Sequence, residues 1–438
     1  MKNFIAAIVF LSLFDLLGTT FQLSYDTNWP NRADELCSET NYPDVYYKSI
    51  SSPFSSTHLV GVDSAVLSNG NYLVLAQIYA TKNSDATFSN PSRYYLSVID
   101  KTNGNELDNY YITGFLLNKS YELFDIEKIP NQTNSFLIVG RFQSTIYPNP
   151  TNYSIFVAKI TVNSSNIISV AWTQNLNTST DTKAGYSIAM HNSEVYIGGY
   201  SALSGNVIKA DLTSTGLNNV TTIYNCVGFG SNCVVNKIQY DEDLAALLIG
   251  GGYSYSRFIS LNNIVSGSVA FLYKMNSSGQ ILSSYTNNGI YSDHLRMTDF
   301  AYNYASDMLL FIETENNVMQ MYDVNHPLNT SSTTFTRHSR SIDTFYHSSS
   351  NAAVFADMDN LYTYLRVDAN LDGDFTDSVD TDVSDGHSVW MCNGVLKGSA
   401  IENPHIRIID NNKLLSVGSV VEPDNTYDKL FIQKRFYN

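Results

Sequence analysis

The densest run of potential ligand atoms in the chain is Asp368-Ala369-Asn370-Leu371-Asp372-Gly373-Asp374-Phe375-Thr376-Asp377. Side-chain oxygens at alternate positions followed by glycine form the front of a calcium loop. The alternation turns successive oxygens inward and the glycine makes the sharp bend. The full EF-hand pattern fails, because its twelfth position is Val379 where a bidentate Glu is required; Asp377 or Asp380 would have to substitute. Asp368, Asn370, Asp372, Asp374 and Asp377 are the expected ligands of a structural Ca2+. The other reading of the same run is an acidic, solvated hairpin turn.

A different chemistry, glycoside cleavage, needs two carboxyl groups facing each other across a cleft. Asp63, Asp125, Asp299, Asp343 and Glu402 stand near the starts of the repeated units described below, where loops from one end of the molecule would converge. The alternative is that they are solvated surface acids. The histidines (His58, His191, His294, His326, His338, His347, His387 and His405) show no His-x-His or His-Glu-x-x-His spacing, so zinc is not expected. His191 is expected in an exposed turn and His347 as a packed strand residue. The chain has no Gly-x-Ser-x-Gly elbow and no phosphate-binding glycine loop opening a helix; Gly250-Gly251-Gly252 falls in a strand pattern. The Ser-x-Asp-x-Gly-x-x-Trp box of sialidase-like chains is also absent. The 31 tyrosines could build sugar-stacking platforms or half-buried packing between sheets.

Covalent chemistry points to export. Lys2 precedes an apolar run from Phe4 to Phe14, and small residues follow at Gly18, Thr19 and Thr20. This predicts a signal peptide over residues 1–20, with an uncleaved anchor as the alternative. No later stretch has the length of a membrane-spanning helix. Sequons occur at Asn118, Asn131, Asn152, Asn163, Asn177, Asn219, Asn276 and Asn329, all candidate glycan sites. Four cysteines suit an oxidising compartment. Cys226 and Cys233 flank a turn-like Val-Gly-Phe-Gly-Ser-Asn and are expected to pair, which leaves Cys37 with Cys392; four cysteines allow three connectivities, so the pairing is a hypothesis.

The elements that must position these groups are repeated ones. A short apolar strand ends in a small residue, and a second, usually closed by Lys or Arg, follows ten to twenty-five residues later. Clear copies are Phe136–Gly140 with Ile155–Lys159, and Val195–Gly199 with Asn206–Lys209. The small-residue positions fall at Ala76, Gly140, Gly199, Gly252, Ile312, Ala356 and Gly418, with steps of 64, 59, 53, 60, 44 and 62 residues. The third unit predicts four strands: Tyr186–Met190, Val195–Tyr200, Asn206–Ala210 and Val220–Tyr224. Such turns as Lys101-Thr102-Asn103-Gly104 and Asn276-Ser277-Ser278-Gly279 carry the residues that tight turns need. Periodic self-similarity of this kind predicts an all-β, seven-bladed β-propeller of four-stranded antiparallel blades. Because the copies at Ile312 and Ala356 are degenerate, six blades is the alternative.

The last unit stops after its third strand, Leu430–Phe436, and Asp44–Ile50 is a strand without a unit. The N-terminal strand is therefore expected to complete the last blade, with residues 21–43 as an extension and 44–438 as one propeller domain. A Cys37–Cys392 bond would pin that extension near the seam.

The pattern resembles the SBBP-type seven-bladed β-propeller repeat proteins. Ile155-Phe156-Val157-Ala158-Lys159-Ile160, Ala171-Trp172, Tyr186-Ser187-Ile188-Ala189 and Val195-Tyr196-Ile197-Gly198-Gly199-Tyr200 carry the likeness, which spans most of residues 55–438 and is weak in units five and six. It implies a fold; that family shares no catalytic residues to carry over.

The chain is 43% apolar, only 15% charged, and has a net charge of −16. That balance excludes the Lys/Arg footprint of a nucleic-acid binder. Three function classes remain. The expected one is a secreted structural or surface glycoprotein that contacts protein partners or itself. The alternatives are a lectin-like or adhesive ligand-binding propeller and a carbohydrate-active hydrolase or lyase.

Overall fold

The computed structural model describes residues 23–30, 46–82, 88–111, 119–146, 149–176, 183–201, 204–226, 233–242, 245–260, 263–290, 297–303, 308–313, 318–323, 334–336, 341–347, 352–358, 363–368, 381–385, 391–392, 395–396, 402–410, 413–420 and 427–437. Side chains are described mainly in the first four sheets and the last.

Every regular element described is a strand. Six antiparallel sheets have four strands each, taken in sequence order, and a further sheet has five. Sheet one runs His58–Val66, Tyr72–Lys82, Phe88–Ile99 and Glu106–Tyr111. Sheet two runs Lys119–Lys128, Ser135–Ile146, Asn149–Val162 and Ile168–Leu176. Sheet three runs Lys183–His191, Glu194–Ser201, Ser204–Leu212 and Leu217–Cys226, in the order its sequence predicts. Sheet four begins at Val234–Asp241, sheet five at Met297–Asn303 and sheet six at Ser341–His347. The last sheet contains Glu402–Asp410, Lys413–Val420 and Lys429–Tyr437. The first strand of each sheet lies against the first strand of the next, and that of the last lies against that of sheet one. Four-stranded sheets packed face to face through their first, inner strands make a β-propeller.

The apolar runs that mark each unit follow from this packing. A central strand is buried on both faces, so it reads as continuously apolar rather than alternating. The alternation is still present, but it points to two neighbours. Leu73 and Leu75 join a core shared with Phe136 and Ile138 of sheet two, while Tyr72, Val74 and Ala76 pack with Leu415, Val417 and Leu430 of the last sheet. Leu137 and Val139 face the other way, onto Val195 and Ile197 of sheet three. Outer strands lose this constraint: Ile168–Leu176 and Leu217–Cys226 alternate or are largely exposed.

The last sheet is completed from the N-terminus, but by two strands where the sequence predicts one. Lys48–Ile50 pairs with Leu430–Ile432, as the orphan strand required. Leu23–Tyr25 pairs with Arg435–Tyr437 further along the same edge. Between them Asp26 bonds the buried Lys434 at 2.7 Å, and Trp29 is buried against Tyr72 with its ring over Gly104. Gly104 sits at φ 68°, and a Cβ there would also strike that ring.

The disulfide Cys226–Cys233 links the outer strand of sheet three to the start of sheet four. Cys37 lies outside the described residues, and Cys392 sits in a two-stranded hairpin, Met391–Cys392 with Val395–Leu396.

Candidate functional site at the inner strands

Each of the first five inner strands carries a β-bulge at the same height. The register slips between Gly61 and Asp63, Leu123 and Asp125, Gly185 and Ser187, Val235 and Lys237, and Met297 and Asp299. A bulge bends the strand and re-aims its side chains. It also pushes a carbonyl toward the neighbouring strand. A Cβ at Gly140 or Gly199 would run into the carbonyl oxygen of Glu122 or Ala184, which is why this strand ends in glycine in sheets two and three. In sheet four the residue at this place is Gly251, beneath the Val234 carbonyl, one position before the Gly252 that sequence spacing indicates.

The residue after the bulge reaches across to the next sheet. Asp63 Oδ2 accepts the Ile126 N–H at 3.2 Å. Asp125 Oδ2 accepts the Ile188 N–H at 3.0 Å and the Ser187 hydroxyl at 2.6 Å. Ser187 Oγ accepts the Ile238 N–H at 3.2 Å. One connector thus recurs at three successive junctions. At the seam with the last sheet, Arg407 Nη2 donates to Asp63 Oδ1 at 3.1 Å, and His405 Nδ1 stands 3.2 Å from the same oxygen.

Asp63 and Asp125, read from sequence as catalytic candidates or solvated acids, are brought together and buried. Asp299 and Asp343 lie on inner strands, paired with Ile312 and Ala356, and Glu402 pairs with Ser419; their side chains lie outside the description. Burial raises the Asp125 carboxyl to about 6, with Lys237 opposing and Asp63 reinforcing the shift. Glu127, on the same strand, is raised to about 7, first by desolvation, with Arg407 opposing it and Asp125 adding to it. Protein surrounds Glu127, yet its surface is only half-buried, so solvent reaches it between the inner strands. Perturbed carboxyls beside cations mark either a functional site or a structural ionic network. The filled hydrogen bonds of Asp63 and Asp125 mark them as connectors.

The bulged residues themselves form a second feature. Phe124 meets Tyr186 edge-on with centroids 4.8 Å apart, and Tyr186 stacks on Tyr200 at 5.9 Å. Arg141 lies 5.2 Å from the Tyr153 ring and is ion-paired with Glu122, which also accepts the Tyr79 hydroxyl at 3.4 Å. Phe124, Arg141, Tyr153, Tyr186 and Tyr200 are all half-buried. This is a polar-edged aromatic platform. Its signal in sequence is an aromatic immediately before Asp125 and Ser187, one unit apart, visible only once the bulge is known.

The other expected residues are placed as follows. His191 is half-buried rather than exposed: its ring stacks on Tyr240 at 4.2 Å, and Nδ1 lies 2.8 Å from Glu242. His347 ends an inner strand. Asp368 ends the third strand of sheet six, and Asn370, Asp372, Asp374 and Asp377 lie outside the described residues, between that strand and Thr381–Asp385. Among the described residues, no three His, Cys, Asp or Glu side chains gather as a metal site. Of the sequons, Asn131, Asn163 and Asn219 are exposed and Asn276 is half-buried, each at or beside a hairpin turn. Asn163 Oδ1 caps its own turn through the Ser165 and Ile167 N–H groups, and Asn276 Oδ1 does so through Ser278 and Gln280. Asn152 lies in a strand, and Asn118, Asn177 and Asn329 fall outside the described residues. No described helix is long and apolar enough to cross a membrane.

No family model matches the chain, and no curated protein matches it. Similar solved structures include a protein of unknown function from Dyadobacter fermentans DSM 18053, 8% identical, with TM-score 0.44, covering 88% of this chain and 96% of that one. A chain of the Mitotic Checkpoint Complex is 11% identical with TM-score 0.45, covering 88% and 98%. The Dos1 propeller is 11% identical with TM-score 0.45, covering 87% and 94%. None of these likenesses assigns a family or an activity.

Proposed function

We propose that this chain is a secreted, N-glycosylated, non-enzymatic β-propeller that serves as a rigid platform for extracellular protein contacts, including contacts with its own copies. The observation that carries the reading is the fate of the inner acids. Asp63 and Asp125, the carboxylates of the sequence-derived candidate set whose side chains are described, are buried and bonded to backbone amides of the next sheet. A carboxylate held by N–H donors on a rigid strand is a connector, not a group free to move protons.

In this reading the ring has seven blades, an SBBP-like repeat, and is closed by the two N-terminal strands. The apolar run after Lys2 is a signal peptide, and exposed Asn131, Asn163 and Asn219 carry glycans. The acidic turn from Asp368 to Asp377 binds a structural Ca2+. Contact surfaces are supported by exposed apolar side chains at the outer rim: Leu107, Ile167, Val220, Ile281 and Leu282 lie in or next to the first four residues of the outer strand in four successive sheets. The net charge of −16 argues against a nucleic-acid partner.

Imaging the native protein tests this. Fibrils, sheets or a defined oligomer support it; monodisperse single rings at all concentrations, or turnover of a glycan substrate, overturn it.

The aromatic platform favours a second reading, glycan binding. Tyr186 and Tyr200 offer ring faces, and the Arg141–Glu122 pair offers the polar edge that sugar hydroxyls require. A glycan array read with the wild type and with Tyr186→Ala separates the two readings.

A further inference from the structure

The outer strands divide into two kinds. Ile168–Leu176, Leu217–Cys226 and Ile281–Ile290, in sheets two to four, contain no Asp, Glu, Lys, Arg or Pro. Glu106–Tyr111 of sheet one holds Glu106 and Asp108, and Thr381–Asp385 of sheet six holds Asp382 and Asp385. Among the described residues, each of the three uncharged strands pairs along one side only. The other side is a row of open backbone donors and acceptors. Such an edge invites another strand, and proteins commonly blunt it with charge or proline. Bulges occur in outer pairs of both kinds, so they do not separate the two. The edge of the last sheet is covered by the two N-terminal strands.

The sequons divide the same way. Asn163 and Asn276 stand five residues ahead of Ile168 and Ile281, in the turns that lead into those strands, and Asn219 lies within Leu217–Cys226. In sequence, Asn329 stands the same five residues ahead of Thr334–Thr336, the uncharged outer strand of sheet five. No sequon falls in residues 100–111 or 369–385, which hold the turns and outer strands of sheets one and six. Sequons thus stand where outer-strand charge is missing. The asparagines can accept a glycan without losing their turns. Asn163 and Asn276 cap through Oδ1, leaving Nδ2 as the atom to be modified. Asn219 Nδ2 donates to Asp211 at 2.7 Å and Asn276 Nδ2 to Gln280 at 3.3 Å; both contacts are exposed, and a glycosylated amide keeps one N–H for them.

We propose that N-glycans at Asn163, Asn219 and Asn276 guard the outer edges of sheets two, three and four, and that a second copy of this chain pairs edge to edge where a glycan is missing. This rests on the reading of the chain as a secreted N-glycoprotein and makes glycan occupancy the control on its self-contact. Each transfer joins Asn Nδ2 to the anomeric carbon of a lipid-pyrophosphate oligosaccharide; the pyrophosphate leaves and Nδ2 gives up one proton. The bulky, hydrated product does at the edge what Glu106 and Asp108 do in sheet one. The partner is a second copy because charge selects it. Chains of net charge −16 repel one another, and these strands are where two of them approach at least electrostatic cost. Identical uncharged strands can also pair antiparallel about a two-fold axis. Exposed Ile167, Val220, Ile281 and Leu282 add apolar contact at the same places.

The test is sedimentation velocity and hydrogen exchange on full-length protein secreted with high-mannose glycans, with site occupancy read by glycopeptide mass spectrometry. Ser165→Ala, Thr221→Val and Ser278→Ala together abolish the three sequons and keep each asparagine in its turn. Thr133→Ala removes the Asn131 glycan from the hairpin between the first two strands of sheet two and is the control. The triple variant should associate at a concentration roughly tenfold or more below the wild type, with its outer strands gaining exchange protection as it does. Thr133→Ala should match the wild type. Trimming folded wild type to single N-acetylglucosamines should give the same shift, so the result does not depend on a variant folding. Glycans at the three sites with no shift on removal or trimming, or association that leaves the outer strands unprotected, overturns the proposal and leaves the glycoprotein reading standing. Wild type secreted with the three sites unoccupied overturns the proposal and counts against that reading as well. A wild type that stays monomeric while the variant associates supports the guard and counts against native self-contact.

Discussion

The junction between sheets one and two and the seam between the last sheet and sheet one perform the same task with different chemistry. The first has an apolar core and a connector from Asp63 to the Ile126 amide. The seam has an equally apolar core and adds ionic contacts at several heights: Arg407 on Asp63, His58 and Lys82 on the buried Asp428, and, within the last sheet, Asp26 on Lys434, whose ammonium also donates to the Lys101 carbonyl of sheet one. At the first junction the chain itself crosses from sheet to sheet, so the entropy of bringing the faces together is already restricted by a short loop. At the seam the crossing through residues 51–57 leaves from Lys48–Ile50, a three-residue strand held to the last sheet by its pairing with Leu430–Ile432, and charge pairs with a second strand pairing reinforce it. Asp63 serves both, one oxygen to each side.

The largest test of this difference is Asp26→Ala. It strands a buried ammonium at Lys434, and removing one partner of a buried pair costs about 3–5 kcal/mol. Urea unfolding should show a lower midpoint, and limited proteolysis should cut first near residues 23–50. Next is the double variant Cys226→Ser with Cys233→Ser, on the side where chain continuity already holds the sheets. Closing so short a loop is worth about 2.5 kcal/mol in the chain-entropy picture. Calorimetry should show a loss of that size and below that of Asp26→Ala; the reverse order breaks the comparison.

Ser187→Ala probes the plain connector. It leaves the Ile238 amide and one Asp125 oxygen short of a partner, at a cost of about 1–2 kcal/mol by denaturant titration. A loss equal to that at the seam would mean that both kinds of junction carry similar weight.

The smallest effect sharpens the ionic side. Glu127 is raised to about 7 from its ordinary value of 4.5, so the folded state holds a proton that the unfolded chain has released between those values. Its stabilising contribution is complete below that window and is lost as pH rises through 7; Asp125, raised to about 6, acts the same way over a lower window. Glu127→Gln should flatten the Glu127 part of this slope and leave the variant about 1 kcal/mol more stable than wild type at pH 8, a figure reduced because solvent reaches the half-buried group. Thermal melts from pH 4 to pH 8 read it directly.

Much of this architecture is legible in the sequence because a sheet buried on both faces writes a continuous apolar run, and a glycine opposite three of the five bulges punctuates it. Val195–Gly199 and Asn206–Lys209 locate sheet three almost to the residue. Leu23–Tyr25 is not legible: three residues carry no periodicity of their own, and only the free edge of Lys429–Tyr437 makes them a strand. Spacing points to Gly252 in place of Gly251 because three adjacent glycines hide a one-residue bulge. Asp63 and Asp125 stand out by position, but acidity in a sequence carries no information about burial, so their role as connectors emerges only with Ile126 and Ile188 in place. The aromatic platform is hidden for the same reason as the bulge that aims it.

The pairing of Leu23 with Tyr437 has a mechanical consequence. Antiparallel strands whose outer ends face each other share load poorly: tension applied at the two ends falls on a single rung, and the rungs then open in succession. Ser24 opposite Phe436 would go next, then Tyr25 opposite Arg435 and the Asp26–Lys434 pair, before any apolar core felt the force. This edge would therefore peel under low tension in an optical trap, whereas tension applied across the faces of sheets two and three would load many rungs together.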